Sequence, residues 1–232
     1  MERQGKSSQR PLAGWAFWFL WITATTISWI IGRIISGEIL GDDSVIIARV
    51  WDAVCRIGPS AMVWNWFLIA LSVLMGVMVG ALSGTMQWLL LRRHIPQAYR
   101  WIPASVVGLA VGTGIGDVLT SFVWKQVYEI YFLTAAVSLG ISQWLVLRRH
   151  IPRAGWWVLA QVISLPVGYF FGAAAGRRMW VALNASPTPV VGSEFGGGII
   201  RFATLGAVSG AITGGALVWL LMQRVTFEQQ AS

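Results

Sequence analysis

Long runs of apolar residues, separated by short polar segments, dominate this chain. Six runs reach the length of about 20 residues that an α-helix needs to cross a bilayer. They cover residues 12–36, 61–91, 101–124, 127–147, 155–176 and 197–222. The pattern therefore predicts an all-α membrane protein with six transmembrane helices, folded as a single domain over residues 1–232.

Two of the connecting segments have a character of their own. Between the first two runs, residues 42–58 place Ile46, Ile47, Val50, Trp51 and Val54 on roughly one face, which predicts a short interfacial amphipathic helix. Residues 184–198 contain two prolines and a glycine triplet, which predict an irregular loop. The basic segment 1–10 precedes a run that is long enough to span, so we expect a first helix that is not cleaved.

A twelve-residue phrase occurs twice. It runs from Gln87 to Ala98 as QWLLLRRHIPQA and returns from Gln143 to Ala154 as QWLVLRRHIPRA, with ten of the twelve positions identical. Each copy is followed three residues later by a tryptophan, Trp101 or Trp157. Such a match indicates that the chain contains a duplicated unit.

Weaker matches extend the duplication toward both ends of the chain. PLAGW at residues 11–15 matches PRAGW at 152–156, and WLLMQR at 219–224 is a degraded copy of WLLLRR at 88–93. We therefore predict three parallel two-helix pseudo-repeats, at about residues 11–91, 96–147 and 152–224. Because each unit has an even number of helices, an axis along the membrane normal should relate the three units.

The charge of the chain is +8, with 15 tryptophans and 26 glycines among its 232 residues. Basic residues lie mostly at the helix ends, so we attribute the charge to orientation and to anionic lipid, and we expect no nucleic-acid binding. The side with the Arg-Arg-His turns has ten bases and two acids, and the opposite side has seven of each. This bias predicts that both termini are cytoplasmic.

The two basic turns are candidate binding sites. Positive charge at a helix end orients the chain, and it is also suited to the phosphate of an anionic lipid headgroup. Their histidines could alternatively ligate a haem iron or a pigment magnesium. Two histidines and the single Cys55 exclude a multi-histidine or cysteine-based metal site, and the sequence requires no cofactor. The candidate residues are Arg92, Arg93, His94, Arg148, Arg149 and His150.

A few polar side chains lie inside the predicted spans. Gln87 and Gln143 could each bond to a neighbouring helix, or they could belong to a polar ring around a central axis. Val218 at the corresponding position of the third unit counts against a complete ring. Asp117 lies near the side opposite the turns, where we predict an ion-pair network with Arg33 and Arg201, joined by Arg177 and Arg178. The alternative role of Asp117 is proton or cation coupling.

Glycines recur at steps of four residues in several spans, which keeps them on one helix face. Small residues on one face allow membrane helices to approach closely, so we predict tight packing there. A solute path lined by glycine is the alternative. The glycines singled out are Gly80, Gly84, Gly112, Gly116, Gly172 and Gly210.

The phrase Gln-Trp-Leu-x-Leu-Arg-Arg, followed by a glycine-rich helix, resembles a group of bacterial integral membrane proteins that are common in cyanobacteria. The resemblance is best over Gly76–Gly116 and Gly140–Gly176. It implies a multi-pass protein of the bacterial inner (plasma) membrane or the thylakoid membrane, and it implies no reaction, ligand or solute.

Two functions are compatible with the sequence. The first is a non-enzymatic scaffold or accessory subunit that packs against lipids, pigments or a larger membrane complex. The alternative is a transporter or channel for a small solute or ion, with a path along the pseudo-threefold axis. No motif of a hydrolase, metalloprotease or P-loop enzyme occurs, so we do not expect an enzyme. Polar side chains that converge on a central cavity would favour transport: Asn65, Gln87, Asp117, Gln143 and Gln161.

Overall fold

Six long α-helices follow one another in the structure, a computed structural model that describes residues 14–40, 52–53, 61–123, 128–151, 153–185 and 193–230. The helices are α1 (Gly14–Leu40), α2 (Ala61–Leu91), α3 (Trp101–Val118), α4 (Tyr128–Leu147), α5 (Gly155–Asn184) and α6 (Ser193–Gln230). Each contains or adjoins a segment of 19 to 30 residues that is long and apolar enough to cross a membrane. The predicted class, an all-α protein with six transmembrane helices, is confirmed.

The helices form a closed ring. Each one packs against the next along the chain, and α6 packs back against α1. The ring of Phe17, near the start of α1, contacts His94 in the turn after α2, with 5.1 Å between ring centroids. We call this end of the bundle the turn end and the other the far end. The odd-numbered helices run from the turn end to the far end, and the even-numbered helices return.

Glycines line four of the six interfaces, and the six predicted packing glycines all lie there. They join α2 to α3, α3 to α4, α5 to α6 and α6 to α1. A Cβ added to Gly112 would lie 2.6 Å from the Cα of Ala135, and one added to Gly210 would lie 3.0 Å from the Cα of Ile22. Gly172 faces the carbonyl of Arg201 at similarly close range. At these crossings backbone packs on backbone, which a larger residue would prevent.

The other two interfaces, α1 with α2 and α4 with α5, are the least extensive in the ring. Gly32 on α1 faces only the side chain of Val79. Gly140 on α4 faces Val158 and Gln161, and no atom there would lie closer than 3.2 Å to an added Cβ. These two interfaces therefore depend more on side-chain contacts.

Three helices extend beyond their predicted ends: α1 continues to Leu40, α5 to Asn184 and α6 to Gln230. Helix α5 continues to Asn184, and α6 begins at Ser193, so the glycine triplet 196–198 is helical and not part of a loop. The reason is packing, because Gly197 lies against the carbonyl oxygen of Gly176 on α5, which offsets the weak helix propensity of glycine. The predicted third span, 101–124, agrees with the structure, in which it is α-helical to Val118 and π-helical over Leu119–Val123. The interfacial helix predicted at 42–58 lies outside the described residues, apart from 52–53.

The two copies of the duplicated phrase fold alike. The amides of Arg92 and Arg148 each bond to the carbonyl four residues earlier at 2.8 Å, where α2 and α4 end. The next turn contains a proline that cannot continue a helix. Gln97 and Arg153 then adopt left-handed backbone angles, with φ of 57° and 59°. The wider interpretation as three pseudo-repeats goes beyond this pair and stays a prediction.

Candidate functional site on the bundle axis

Three tryptophans from alternate helices meet inside the ring, near the turn end. Trp21 on α1, Trp101 on α3 and Trp157 on α5 are completely buried. Their ring centroids are 5.5 to 6.2 Å apart and their planes cross at 64° to 87°. This edge-to-face arrangement is favourable for aromatic rings. Since the three helices alternate around the ring, the tryptophan cluster fills its centre at this level.

The even-numbered helices complete the same layer with leucines. Leu91, Leu147 and Leu217, from α2, α4 and α6, are also completely buried and belong to one core cluster with the tryptophans. Each of the six helices therefore contributes at least one large apolar side chain to the layer. Together these side chains form one packed core at the turn end.

Each indole of the cluster donates a hydrogen bond to a polar side chain on an even-numbered helix. Trp101 Nε1 donates to Gln87 Oε1 at 2.8 Å, and Trp157 Nε1 donates to Gln143 Oε1 at 3.0 Å. Trp21 Nε1 donates to Thr213 Oγ1 at 3.1 Å. All three buried N–H groups are satisfied, as burial requires.

Gln143 connects most of these polar groups. Its Nε2 donates to Ser105 Oγ at 2.9 Å, and its Oε1 accepts from Gln161 Nε2 at 3.0 Å as well as from Trp157. Gln87 makes a longer contact of 3.4 Å from its Nε2 to Thr25 Oγ1. The amides are thus held in place by groups on several helices.

A small cavity of about 20 Å³ lies beside this network on the axis. All six helices line it, and five of them contribute amide or hydroxyl groups. The volume is enough for about one water molecule. None of the described residues that line the cavity is charged; the polar ones include Thr25, Gln87, Gln143, Gln161, Ser209 and Thr213.

A larger cavity of about 150 Å³ occupies the far end. Its walls are mostly apolar and aromatic, including Met75, Phe132 and Phe202, with Arg33 among the few polar residues. Trp29 and Leu109 line both cavities. These two side chains therefore separate the far-end cavity from the polar cavity.

The predicted glutamines both lie on the axis, but the third position of the polar ring differs from the prediction. Val218, which was aligned with Gln87, is half-buried and packs near Gly14, while Thr213 accepts the third indole bond. Thr213 is buried whereas Val218 is only half-buried, which explains why Thr213 takes the third position. The buried series Ser209, Thr213 and Leu217 repeats the spacing of Ser83, Gln87 and Leu91.

Asp117 and Arg201, two members of the predicted ion-pair network, contact other groups. Asp117 is half-buried on α3, within hydrogen-bonding reach of the Ser72 hydroxyl on α2. The guanidinium of Arg201 on α6 lies 4.7 Å from the ring centroid of Tyr169 on α5. Arg33 packs across Gly198 and lines the far-end cavity. Asp117 thus contacts α2 and Arg201 contacts α5, and an ion pair that joins Asp117 to an arginine stays a prediction. Arg177 and Arg178 are exposed.

Asn65, another candidate for a central polar group, is half-buried near the start of α2 at the far end. Neither it nor Asp117 lines the polar cavity. Of the five residues expected to discriminate between the two functions, the three glutamines converge on the axis.

The basic turns lie at the turn end. Arg93 and Arg149 are exposed, while Arg92 and Arg148 lie over the rings of Trp88 and Trp144. His94 Nδ1 lies 3.2 Å from the carbonyl oxygen of Leu90, in the last turn of α2. Among the described residues, no group of three or more His, Cys, Asp or Glu could hold a metal. Haem or pigment ligation by His94 or His150 stays a prediction.

Sequence reasoning overlooked the tryptophans and hydroxyls of the axis. Trp101 and Trp157 had a usable signal, because each follows a glutamine by 14 residues in both copies of the phrase. Trp21 and Thr213 belong to the weakly matching ends of the chain and have no such signal. The hydroxyls of Thr25 and Ser105 are recognisable only from their partners.

Comparison of the chain with protein-family models, with curated proteins and with solved structures found no match.

Proposed function

We propose that this protein is a transporter or channel for a small uncharged polar solute, with a path along the ring axis. The observation that supports this most is the convergence of amide and hydroxyl groups from five helices on one axial cavity. Buried polar groups are costly in a membrane protein and commonly mark the path of a solute. A bundle that needed only stability could fill this position with apolar side chains.

The composition of the cavity wall supports an uncharged solute. Glutamine, serine and threonine, which line the cavity, offer both donors and acceptors. Many selective ion paths use rings of charged side chains, and none of the described residues that line this cavity is charged. A molecule in the class of water, urea or glycerol fits this chemistry.

The described state is closed in this proposal. The polar cavity has room for about one water molecule, the tryptophan cluster fills the axis on one side, and Trp29 and Leu109 stand on the other. Passage of a larger solute requires one barrier to open at a time, as in alternating access. In the proposed orientation the turn end faces the cytoplasm, in a bacterial inner or thylakoid membrane.

A scaffold or accessory subunit remains the competing proposal. Its outer surface would pack against lipids, pigments or a larger complex, and the axis would serve only as a core. The exposed apolar side chains are compatible with this function, but they are equally required by any helical membrane protein.

Osmotic flux separates the two proposals. Purified protein is reconstituted into liposomes, and stopped-flow light scattering follows water exit and the re-entry of urea or glycerol. We expect wild type to exceed empty liposomes for one of these solutes. Trp157→Ala should raise the flux further, because it removes one ring from the cluster that closes the axis.

The control is Trp156→Ala, one position away on the same helix. Trp156 is 54% exposed and packs on Trp219 at the outer surface, whereas Trp157 is 0% exposed. If neither the wild type nor a folded Trp157→Ala protein raises the permeability of the liposomes, transport is rejected. The scaffold function would then be the remaining proposal. Gln161→Met supplies a second readout, since it should lower urea flux relative to water flux.

A further inference from the structure

Each of the two turns at the turn end gathers three arginines. The turn from α2 to α3 has Arg92, Arg93 and Arg100, and the turn from α4 to α5 has Arg148, Arg149 and Arg153. Neither segment, 88–101 or 144–157, contains an aspartate or glutamate. Each turn is therefore a compact positive site with no neutralising carboxylate of its own.

One arginine of each turn is held against a tryptophan of the preceding helix. The guanidinium carbon of Arg92 lies 5.5 Å from the ring centroid of Trp88, and that of Arg148 lies 5.0 Å from the ring centroid of Trp144. This is a cation–π distance. A tryptophan at a helix end is typical of the membrane interface, so the stacked guanidinium is held at headgroup level.

The backbone beneath these side chains is fixed in the same way at both turns. The amides of His94 and Ile95 both bond to the carbonyl of Leu91, at 2.8 and 2.9 Å, and the second turn repeats both bonds at 2.9 Å. Ile95 and its counterpart Ile151 are buried, which anchors each turn in the core. The arginines are thus presented by a preorganised turn rather than by a mobile loop, which lowers the cost of binding.

We propose that each turn binds the phosphate group of an anionic phospholipid, giving two equivalent headgroup sites per chain. The guanidinium edges supply paired donors to the phosphate oxygens, and the ring of Trp88 or Trp144 lies against the lipid. We assign the phosphate to a lipid and not to a free anion because the site lies where helices end beside interfacial tryptophans. This inference does not depend on the proposed transport function.

The chain offers a matched control for this site. Arg177 and Arg178 are also two adjacent, exposed arginines, but they lie near the far end of α5. Three double variants remove the same charge: Arg92→Gln with Arg93→Gln, Arg148→Gln with Arg149→Gln, and Arg177→Gln with Arg178→Gln. Differences among them therefore report position and not net charge.

The experiment is native mass spectrometry of protein released from nanodiscs of phosphatidylglycerol and phosphatidylcholine. Both leaflets have the same composition, so the result does not depend on orientation. We expect two retained phosphatidylglycerol molecules on wild type and on the far-end variant, and one on each turn variant. An arginine near the surface contributes about a fivefold factor in affinity, so two replacements should weaken the altered site by about 25-fold.

Three results would overturn the proposal. The far-end variant could lose as much phosphatidylglycerol as the turn variants, or phosphatidylcholine could be retained equally well. Excess inorganic phosphate could also displace the lipid, which would make the occupant a free anion. Thermal unfolding of each variant verifies that a lost lipid is not the result of a lost fold.

Discussion

The same six helices close the axis at the turn end and leave it open at the far end, and the placement of aromatic side chains accounts for the difference. At the turn end, Trp21, Trp101 and Trp157 come from helices that are not neighbours and meet across the centre. At the far end, the aromatic rings pair between neighbouring helices, and a cavity of about 150 Å³ remains. Aromatic side chains that pair between neighbouring helices lie at the wall of the bundle and do not fill its centre.

The far-end pairs are specific contacts. Trp29 on α1 stacks with Phe202 on α6, with 6.1 Å between centroids, and Phe132 on α4 stacks with Tyr169 on α5 at 4.2 Å. Both pairs join adjacent members of the ring. Whether large aromatic residues fill the axis therefore depends on which helices carry them, and not on how many there are.

The largest expected effect is the loss of the folded protein, which removes the structure at both ends of the bundle. Gly112→Leu inserts a side chain where even a Cβ would lie 2.6 Å from the Cα of Ala135 and 2.8 Å from the carbonyl of Thr134. Because backbone cannot move aside cheaply, we expect no folded protein, measured as the yield of a monodisperse peak in size-exclusion chromatography.

The matched substitution is Gly155→Ala, since nothing lies within 4 Å of an added Cβ there. It should give a normal yield. Normal yield and thermal stability of Gly112→Leu would contradict the account of helix packing.

The next effect contrasts the two ends directly. Trp157→Ala leaves a large void in a filled layer and should lower the free energy of unfolding by about 3–5 kcal/mol. Phe202→Ala enlarges an existing cavity and should cost about 1–2 kcal/mol, because Phe202 is only half-buried beside open space. Denaturant unfolding in one detergent measures the free energy of unfolding of both variants. Equal losses of stability would contradict the proposed difference in packing between the two ends.

A smaller effect is expected within the polar network. Gln143→Leu leaves the indole N–H of Trp157 and the amide of Gln161 without their acceptor, and it should cost about 1–3 kcal/mol. Gln161→Leu removes one of those bonds and should cost about 0.6 kcal/mol, typical of a membrane hydrogen bond. If Gln161→Leu lowers the thermal unfolding temperature more than Gln143→Leu does, then Gln143 is not the centre of the network.

The smallest effect is expected for Asp117→Asn at the far end. Asparagine keeps an acceptor for the Ser72 hydroxyl, the contact that Asp117 makes on α2. We expect a change below about 0.5 kcal/mol in unfolding free energy. A loss of several kcal/mol would show that the carboxylate is part of an ion pair.

The sequence predicts the helices well because a bilayer imposes a simple length and polarity rule. All six spans, the end of α2 at Leu91 and the glycine faces follow from it. Residues 186–192 lie outside the described part of the chain, and over residues 193–198 the prediction of a loop was wrong because glycine has two roles. As a local signal it favours a loop, but Gly197 serves a helix crossing whose partner Gly176 is distant in sequence.

The axial site was only partly predictable for a similar reason. Gln87 and Gln143 are marked by the duplicated phrase, whereas Thr213 is recognised only from the indole of Trp21, 192 positions earlier. The weak match at Trp219 suggested a register that placed Val218 on the axis. Burial at Thr213 and Leu217 shows another register, and burial is a property of the assembled ring.

The glycine-lined interfaces have a mechanical consequence. They join the helices into two sets of three, α2–α3–α4 and α5–α6–α1, while the interfaces between the sets are α1–α2 and α4–α5. Within a set, backbones in contact resist sliding, so in the proposed transport cycle a rocking motion would divide the molecule between the sets. Helices α1 and α2 belong to one predicted sequence unit but to different sets. The predicted threefold repeat of the sequence and the division of the interfaces into two halves therefore do not coincide.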